Sequence, residues 1–506
     1  MNIKGLAKTF HDLAKSTPDR VFARTTDGTE ITFAALSGAA DAMISWLVAA
    51  GVAPGDRVAV MTRNSPATLA LVHGLLRAGM VWVPVNPALV GDGLAHAIGL
   101  VEAAVVVCDP DLHDTVAASP VQPREGILVL DAVALPAAPQ VPPQFPFPAP
   151  EELASIMFTS GTTGAAKGVQ VTQKMLEIAA RGVELAGEVT PGDNLFMWEP
   201  FYHVGGAQVI VLPILCDITL TIADRFSATR FWDQVSEAGC THIHHLGGIL
   251  QILLKQPPAP CDRAHRVRIA WGGGCAEAAW RAFEERFGTT ITECYGMTEA
   301  SSISACNTVG VVGAIGRPLP WFDIRVQDET GRILGPGEGR GEMIITSSEP
   351  GAIFAGYYRA PEASAKALQA DGFHTGDMGS WGEDGLLRFH GRMSDSVRCK
   401  GENVSAHEVE SVANRHPDIA ESAMVGVPAE IGENDIQLFI RLQPDVTPDP
   451  EAISAWLAER LAPYQQPRFI AFLDAFPKTP SQRTRKHLLP IATTPRWERQ
   501  MRKVTT

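Results

Sequence analysis

The chain has no apolar stretch long enough to cross a lipid bilayer. None of its 506 residues falls in an uninterrupted apolar run of about 18, the length that a spanning helix needs. Residues 1–12 also lack an apolar core of the length found in secretory signal peptides. We therefore expect a soluble, cytoplasmic protein with no membrane partner.

Cysteine is sparse, and basic residues are outnumbered. The eight cysteines are scattered and form no Cys-x-x-Cys pair, which suits a reducing compartment better than a disulfide framework. Lysine and arginine total 42 against 56 aspartates and glutamates, so the formal net charge is −14. This balance argues against nucleic acid or an anionic membrane as the main partner.

The first third of the chain alternates strand-like and helix-like segments. Arg57–Met61 is a short apolar run, and Ser65-Pro66 after it is typical of an N-cap with proline at the first helical position. Ala67–Arg77 has apolar residues at helical spacing, whereas the runs 81–85 and 103–107 are typical of buried strands. This alternation of strands and helices predicts an α/β architecture with a largely parallel sheet and helices on its faces.

The middle of the chain extends this pattern. Thr172–Leu185 is a predicted helix, Ile218–Ile222 a predicted strand, and Cys240–Leu254 leads into another helix. The proline-rich stretch 135–150 is either an extended connector between two subdomains or a plain surface loop.

Composition shifts after Gly391, and the remaining residues have strands and helices of their own. Ser405-Ala-His-Glu408 is a capping box that opens a helix, and Asp449-Pro450 caps another that runs to about Leu461. Strands are predicted at 422–427, 436–442 and 469–473. These elements predict a small separate α+β domain.

Residues 158–169 read Phe-Thr-Ser-Gly-Thr-Thr-Gly-Ala-Ala-Lys-Gly-Val, a loop suited to a polyphosphate. Its hydroxyls can donate hydrogen bonds, its glycines let backbone N–H groups approach an anion, and Lys167 adds a mobile charge. It is not a Walker A loop, because Ala166 precedes the lysine and Gly168 follows it. The alternative is a plain Gly/Thr-rich turn.

Five further segments fit the same chemistry and disfavour that alternative. They are Pro200-Phe-Tyr-His-Val-Gly-Gly206, Trp271-Gly-Gly-Gly274, Glu293-Cys-Tyr-Gly-Met-Thr-Glu299, His374-Thr-Gly-Asp377 and Gly391-Arg392-Met-Ser-Asp395. Together they offer a histidine beside aromatic rings, flat glycine backbone for a planar base, and carboxylates for a cation and a ribose diol. The sequence therefore predicts sites for a base, a ribose, a triphosphate and Mg²⁺.

In this order, over residues 10–490, the motifs resemble the adenylate-forming acyl-CoA synthetase superfamily. Within it, the segments 244–247, 255–258, 280–288 and 398–404 look most like the crotonobetaine/carnitine-CoA ligase branch. The resemblance implies an acyl-CoA synthetase-like fold. Its large N-terminal domain of layered βαβ subdomains would span 1–391, its hinge 392–395, and its small mobile α+β domain 396–506.

The resemblance also implies a two-step reaction that uses ATP, Mg²⁺ and CoA. A small-molecule carboxylic acid attacks the α-phosphate of ATP and releases pyrophosphate, and the CoA thiol then displaces AMP from the acyl-adenylate. Because an anion must attack an anion, catalysis should rest on positioning and charge neutralisation. The resemblance also implies a monomer or a homodimer.

Residue roles carry over to the matching positions. The polyphosphate loop would supply the nucleotide-binding residues Thr159, Ser160, Gly161, Thr162, Thr163, Gly164 and Lys167. The rest of the nucleotide would contact Gly273, Gly274, Glu293, Tyr295 and Gly296, with Asp377 and Arg392 on the ribose. Glu299 and Thr162 would bind Mg²⁺, and Gly401 would line the pantetheine tunnel. The catalytic set would be His203, Thr298, Lys167 and Arg483.

Simpler interpretations stay open for three of these residues: His203 as a core histidine, Asp377 as a turn residue, and Glu299 as a charge at a helix N-terminus. The histidines of residues 241–245 could suggest a metal site. No carboxylate or cysteine sits at ligand spacing, so we expect them to line the acyl pocket or the CoA channel.

The acyl pocket is expected near residues 203–207, 244–248, 274–275 and 296–302. The rings of Trp198, Phe201 and Trp271 would either pack there or face a quaternary ammonium group.

The chain departs from its family at the C-terminal motif Pro-x-x-x-x-Gly-Lys. Here Pro477-Lys-Thr-Pro-Ser481 is followed by Gln482 and Arg483, so the lysine that bridges carboxylate and α-phosphate is replaced by arginine. Arginine keeps the charge but presents a planar fork instead of a compact ammonium. Lys486 is the alternative cation if the loop shifts register.

Four functions remain open from the sequence, of which a luciferase-like monooxygenase on the same fold has no positive support. An ATP-dependent acid–CoA ligase is favoured. The alternatives are a freestanding adenylation enzyme that loads a carrier protein, and a catalytically impaired acyl- or nucleotide-binding protein, which only Arg483 suggests.

Overall fold

The computed structural model describes residues 5–130, 135–141, 144–159, 166–246, 248–399, 402–429, 434–461, 463, 465–478 and 484–499. Contacts divide the chain into two compact units. The first comprises Met1–Ile324 and Ile345–Phe373, and the second Arg325–Ile344 and His374–Thr506. The predicted hinge 392–395 lies inside the second unit, and the domain boundaries predicted around it stay predictions.

A nine-stranded sheet forms one half of the first unit. In spatial order its strands are Arg317–Pro318, Ala305–Asn307, Thr290–Tyr295, Ile269–Gly273, His242–Leu246, Asn194–Met197, Thr219–Ile222, Val21–Thr25 and Glu30–Thr32. The six central strands run parallel, and the outer ones pair antiparallel. Trp280, Phe283 and Phe287 pack against Ile243 and Ala270 of this sheet in a fully buried cluster. Helices thus cover the sheet, as the alternation of strands and helices in the sequence predicts.

A six-stranded sheet forms the other half of the first unit. Its order is Gly126–Val129, Val105–Cys108, Arg57–Met61, Val81–Pro84, Leu153–Thr159 and Lys167–Thr172, parallel except for the last pair. The strands predicted at 57–61, 81–85 and 103–107 are therefore confirmed within two residues.

Of the two interpretations of the stretch 135–150, the connector between two subdomains is wrong and the loop remains. The strands on its two sides, Gly126–Val129 and Leu153–Thr159, belong to the same six-stranded sheet. Three other strands lie between them, and neighbouring strands are spaced by about 4.8 Å, so the chain needs a long link to return. The described residues of the stretch form no helix or strand.

The α-helices are Leu6–Ser16, Phe33–Ala49, Pro66–Ala78, Gly91–Val101, His113–Ala117, Gln173–Ala186, Val204–Ile210, Leu212–Leu215, Phe231–Glu237, Ile249–Leu254, Glu277–Phe287, Pro361–Ala367, Ala406–Ala413 and Pro450–Ala458. Short 3₁₀ turns lie at Pro110–Leu112, Pro260–Asp262, Thr298–Ala300, Met393–Asp395 and Lys486–Leu488.

Two predicted N-caps are confirmed. The hydroxyl of Ser65 accepts the backbone N–H of Thr68 at 3.0 Å, and the carboxylate of Asp449 accepts that of Ala452 at 2.9 Å. The helix after Asp449 ends at Ala458, three residues before the predicted end. The segment 240–254 begins with the strand His242–Leu246, and its helix starts only at Ile249.

The boundary between the units falls inside three strands, Phe322–Gln327, Gly341–Ser347 and Gly372–Trp381. These belong to a third sheet with Ile333–Leu334, Leu368–Gln369 and Leu387–Arg392. Within the second unit, Val326 pairs with Leu334 and Asp377 with Arg392, both antiparallel.

The rest of the second unit contains a hairpin and a four-stranded sheet. The hairpin pairs Ser396–Cys399 with Glu402–Ser405. The sheet order is Ile419–Pro428, Asn434–Leu442, Phe469–Phe472 and Arg496–Glu498. Helices Ala406–Ala413 and Pro450–Ala458 bury Val409 and Leu457 against Leu438 and Ile440 of this sheet, which gives the predicted α+β arrangement.

Among the described residues, no helix combines the length and the apolarity needed to cross a membrane. All eight cysteines lie in the described part of the chain, and none of them forms a disulfide bond there.

Candidate active site

Four parallel strands of the nine-stranded sheet end at one edge. They are Asn194–Met197, His242–Leu246, Ile269–Gly273 and Thr290–Tyr295. Carboxyl ends of parallel strands form the crevice in which open α/β sheets bind ligands. The sheet therefore brings the motifs after these strands to one place, although they are far apart in sequence.

Glycine is required at two positions of this edge. A Cβ at Gly272, whose φ is +153°, would overlap the backbone of His245, and a Cβ at Gly296 would overlap the carbonyl of Ser302. Gly274 has φ +85°, a left-handed conformation that favours glycine. Gly272 and Gly296 are therefore required by packing against the chain's own backbone, whereas Gly274 is exposed.

Glu293 lies beneath the glycine segment. Its carboxylate accepts the backbone N–H of Gly274 at 2.6 Å and that of Cys275 at 3.1 Å. Burial raises the pKa of this carboxyl to about 8, and the two N–H donors partly oppose that rise. Glu293 thus fixes the turn that follows Gly273. Tyr295, two residues further along the strand, is buried.

Lys167 and Glu299 both contact the side chain of Tyr357. The lysine ammonium lies 4.8 Å from the centre of the Tyr357 ring, and the tyrosine hydroxyl donates to Glu299 Oε1 at 2.9 Å. Glu299 is buried in the 3₁₀ turn Thr298–Ala300, and its carbonyl accepts the N–H of Phe354 at 2.9 Å. A cation and a carboxylate predicted for phosphate and metal are therefore brought together through one phenol.

Sequence reasoning missed Tyr357. The segment Gly356-Tyr357-Tyr358 has no charge or spacing that distinguishes it from a surface turn. Its partner Glu299 is 58 positions away. Only the fold joins the two, so no local signal could have found this residue.

His203 is the N-cap residue of the helix Val204–Ile210, and its ring lies 4.7 Å from that of Tyr202. Behind it, the buried carboxylate of Glu199 pairs with Nδ1 of His244. A Cβ at Gly205 would stand 3.4 Å from Glu199 and 3.5 Å from His244, so the glycine lies against this pair. The His203 and His244 segments predicted for the acyl pocket thus meet.

The predicted aromatic residues of this region are buried. The Trp271 ring packs against the His244 ring with ring centres 4.0 Å apart and planes tilted by 35°, and Trp198 donates its indole N–H to the His244 carbonyl at 2.9 Å. Phe201 is 3% exposed. These contacts fit the simpler interpretation, in which the rings pack, better than a ring open to an ammonium group.

The histidine cluster has no metal-site geometry. His242 contacts the Gly187 carbonyl at 2.8 Å, and burial lowers the pKa of His245 to about 3. In the part of the chain that the structure describes, no group of three histidine, cysteine or acidic side chains could hold a metal ion.

Asp377 and Arg392 are adjacent in the second unit. They are cross-strand partners, and the Arg392 Nε lies 2.8 Å from the Asp377 carboxylate, which is buried. The backbone N–H of Asp377 donates to the Thr375 hydroxyl at 3.0 Å. The two residues predicted for the ribose are therefore held as one pair.

Several predicted residues lie outside the described part of the chain. These are Ser160, Gly161, Thr162, Thr163, Gly164, Gly401 and Arg483. On the described flanks of the polyphosphate loop, Thr159 pairs with Lys167 across an antiparallel ladder. A Cβ at Gly168 would crowd Ile156 at 2.6 Å, so this glycine is needed for packing.

Two family models match the chain. The model described as AMP-binding enzyme covers residues 10–358, and the model described as AMP-binding enzyme C-terminal domain covers residues 408–483. Together they extend over both units.

Named relatives match along most of their length. A sulfoacetate–CoA ligase of Cupriavidus necator is 30% identical over 489 residues, covering 93% of this chain and 94% of that protein. A crotonobetaine/carnitine–CoA ligase of Proteus mirabilis is 28% identical, covering 87% and 89%. The crystal structure of ATP-bound MatB from Rhodopseudomonas palustris is 28% identical, with a TM-score of 0.85 and coverage of 96% and 98%.

Proposed function

The chain belongs to the AMP-binding enzyme family, and from that premise we propose that it is an ATP-dependent acid–CoA ligase. It activates a carboxylic acid as an acyl-adenylate with release of pyrophosphate, and then transfers the acyl group to the CoA thiol. The observation that carries the proposal is the contact of Lys167 and Glu299 with one tyrosine at the carboxyl edge of the sheet.

This arrangement suits a polyphosphate and its counterion. Lys167 would neutralise charge on the phosphates, and Glu299 would bind Mg²⁺ together with the Thr162 hydroxyl. The carboxylate fits that ion, because Mg²⁺ in proteins is usually bound by one or two carboxylates, with substrate phosphates and waters completing the shell. When bound, Mg²⁺ supplies further neutralisation of the phosphate charge.

The glycine segment would hold the base. Gly273 and Gly274 offer flat backbone, Glu293 fixes their turn, and Tyr295 and Gly296 follow at the end of the next strand. Thr298 would contact the α-phosphate. Asp377 and Arg392 would bind the ribose hydroxyls, with Arg392 orienting the carboxylate through their 2.8 Å contact.

Fewer contacts identify the residues of the acyl pocket than those of the nucleotide site. His203 would lie between the ATP and acyl sites, and the Glu199–His244 pair would form part of the acyl pocket. Arg483 would neutralise the attack of the carboxylate on the α-phosphate, and Gly401 would leave room for the pantetheine arm. The relatives act on acids as different as sulfoacetate and crotonobetaine, so the acid must be found by experiment.

The test is pyrophosphate release with ATP and Mg²⁺ across a panel of short aliphatic, medium-chain, aryl, sulfonated and betaine acids, with and without CoA. We expect release to depend on both the acid and CoA at steady state and to yield an acyl-CoA thioester. Release without a thioester would instead indicate carrier loading. ATP binding with no release for any acid would indicate a nucleotide-binding protein.

A further inference from the structure

The two ends of the segment that contains Arg483 lie side by side in the second unit. The Arg485 N–H donates to the Pro477 carbonyl at 2.7 Å, and Lys478 and Thr484 form an isolated antiparallel bridge. Pro477 and Lys478 precede the segment 479–483, which contains Arg483, and Thr484 and Arg485 follow it. Groups that hold these four residues together therefore hold the two flanks of that segment.

One carboxylate contacts both ends. Glu421, on the strand Ile419–Pro428, pairs through Oε1 with the Lys478 ammonium and accepts the Thr484 hydroxyl at 3.1 Å. Lys478 also donates to the Thr484 hydroxyl at 3.1 Å, which closes a triangle. Glu421 and Lys478 are 22% and 26% exposed, so water screens this contact less than it would a fully exposed pair.

A second carboxylate holds the chain just downstream. Lys486 lies 2.7 Å from Glu410 and 3.7 Å from Asp395. Glu410, on the helix Ala406–Ala413, also accepts the Met424 N–H at 2.6 Å. Lys486 is therefore engaged in contacts inside the second unit, which disfavours it as the alternative cation for the reaction and leaves Arg483.

We propose that Glu421 is a positioning residue for acyl-adenylate formation. By joining Lys478 to Thr484, it holds together the residues that flank 479–483, the segment that contains Arg483. Misplacing a catalytic group by about 1 Å can cost two orders of magnitude in rate. The proposal rests on the role proposed above for Arg483, and it assigns Glu421 no contact with substrate.

The experiment separates the two half-reactions in Glu421→Ala and Arg483→Ala, using the panel acid with the fastest pyrophosphate release. ATP–pyrophosphate exchange reports adenylation, and thioester formation from the synthetic acyl-adenylate and CoA reports the second step. For Glu421→Ala we expect about a tenfold lower exchange kcat with KM for ATP little changed, because positioning and not binding is lost. Thioester formation should stay at the wild-type rate.

The double variant tests whether Glu421 acts through Arg483. If it does, adding Glu421→Ala to Arg483→Ala lowers exchange no further. Glu459→Ala is the matched control, because this glutamate of the same unit is 72% exposed and pairs only with its neighbour Arg460 among the described residues. It should leave both steps unchanged.

Thr484→Val provides a second, milder variant that removes only the hydroxyl from the triangle. We expect about a threefold lower exchange rate, the size of one lost hydrogen bond. A Glu421→Ala protein that folds and exchanges at the wild-type rate would overturn the inference while leaving the ligase function intact, and so would equal losses in both steps. Wild-type exchange in Arg483→Ala would overturn the role of Arg483 and this inference together. No exchange in the wild-type protein with any acid would overturn the proposed function itself.

Discussion

The two charged residues proposed for the phosphate and metal site of the first unit are arranged differently from two lysine–glutamate pairs of the second unit. In the first unit, Lys167 and Glu299 meet through the ring and hydroxyl of Tyr357. In the second, Glu421 touches Lys478 directly, and Glu410 touches Lys486. In each direct pair the two charges neutralise each other and link two segments of the chain. Lys167 and Glu299 are instead joined through the side chain of Tyr357.

This difference indicates that the charges of the first unit are available to a ligand, whereas those of the second unit are used in contacts within the chain. Charges that are already paired gain little from a ligand, because binding would have to break an existing contact. Lys167 is exposed and Glu299 is buried, so a phosphate and its counterion could engage both without competing with an ion pair between them. We therefore expect substitutions at Glu299 to change how adenylation depends on Mg²⁺ concentration. Substitutions at Glu421 should instead lower the rate of adenylation with little change in the KM for ATP.

The largest effect should come from Glu299→Gln, which keeps the shape but removes the charge. We expect adenylation to fall by about a hundredfold, the range seen when a group that stabilises developing charge is removed, and to need more Mg²⁺. Pyrophosphate release measured against Mg²⁺ concentration is the assay. Glu349→Gln, at a glutamate that pairs with Lys174 near the surface, is the control. An unchanged Mg²⁺ dependence would remove Glu299 from the metal site and break the comparison.

A smaller effect is expected from Tyr357→Phe, which deletes the hydroxyl and keeps the ring beneath Lys167. The loss of one hydrogen bond to a carboxylate should lower adenylation by about three- to tenfold. Tyr358→Phe is a matched control, because the neighbouring ring contacts Arg359 instead. Equal rates in the two variants would mean that the hydroxyl contact does not matter for catalysis, and the contrast between the units would lose its functional meaning.

The third prediction concerns stability and its dependence on pH, through Glu293→Gln. The pKa of Glu293 is about 8 in the folded chain against an ordinary value of 4.5, so between these pH values the folded state binds one more proton than the unfolded state. Its contribution to stability is therefore full below pH 4.5 and is lost as pH rises towards 8.

The Gln variant has no such proton, so its stability should fall less over this range, by a difference on the order of a few kcal/mol at most. Thermal unfolding of both proteins from pH 5 to pH 9 measures the difference. Parallel stability curves would show that Glu293 is ionised in the folded state, and that the glycine turn is held by a charged carboxylate like those of the second unit.

Local features were the ones that sequence reasoning predicted well. The caps at Ser65 and Asp449 each depend on a bond to a residue three positions away, and both form. The glycines at 272 and 296 belong to motifs that are recognisable within a few residues. The segment 240–254 leads into the helix Ile249–Leu254 as predicted, and its first part is a strand with parallel partners on both sides. The two interpretations of 135–150 could not be separated locally, because strand order decides whether the stretch links two subdomains or returns to its own sheet.

The sequence by itself determined the family, the order of the motifs, the chemistry of each motif and the replacement of lysine by Arg483. Only the tertiary structure decided that Tyr357 joins Lys167 to Glu299, that Glu410 engages Lys486, and that Glu421 joins Lys478 to Thr484. The physical reason is that motif chemistry and caps are set by residues close together in the chain. Contacts between positions 57 to 190 residues apart depend instead on strand order and register, which are settled by the packing of the whole domain.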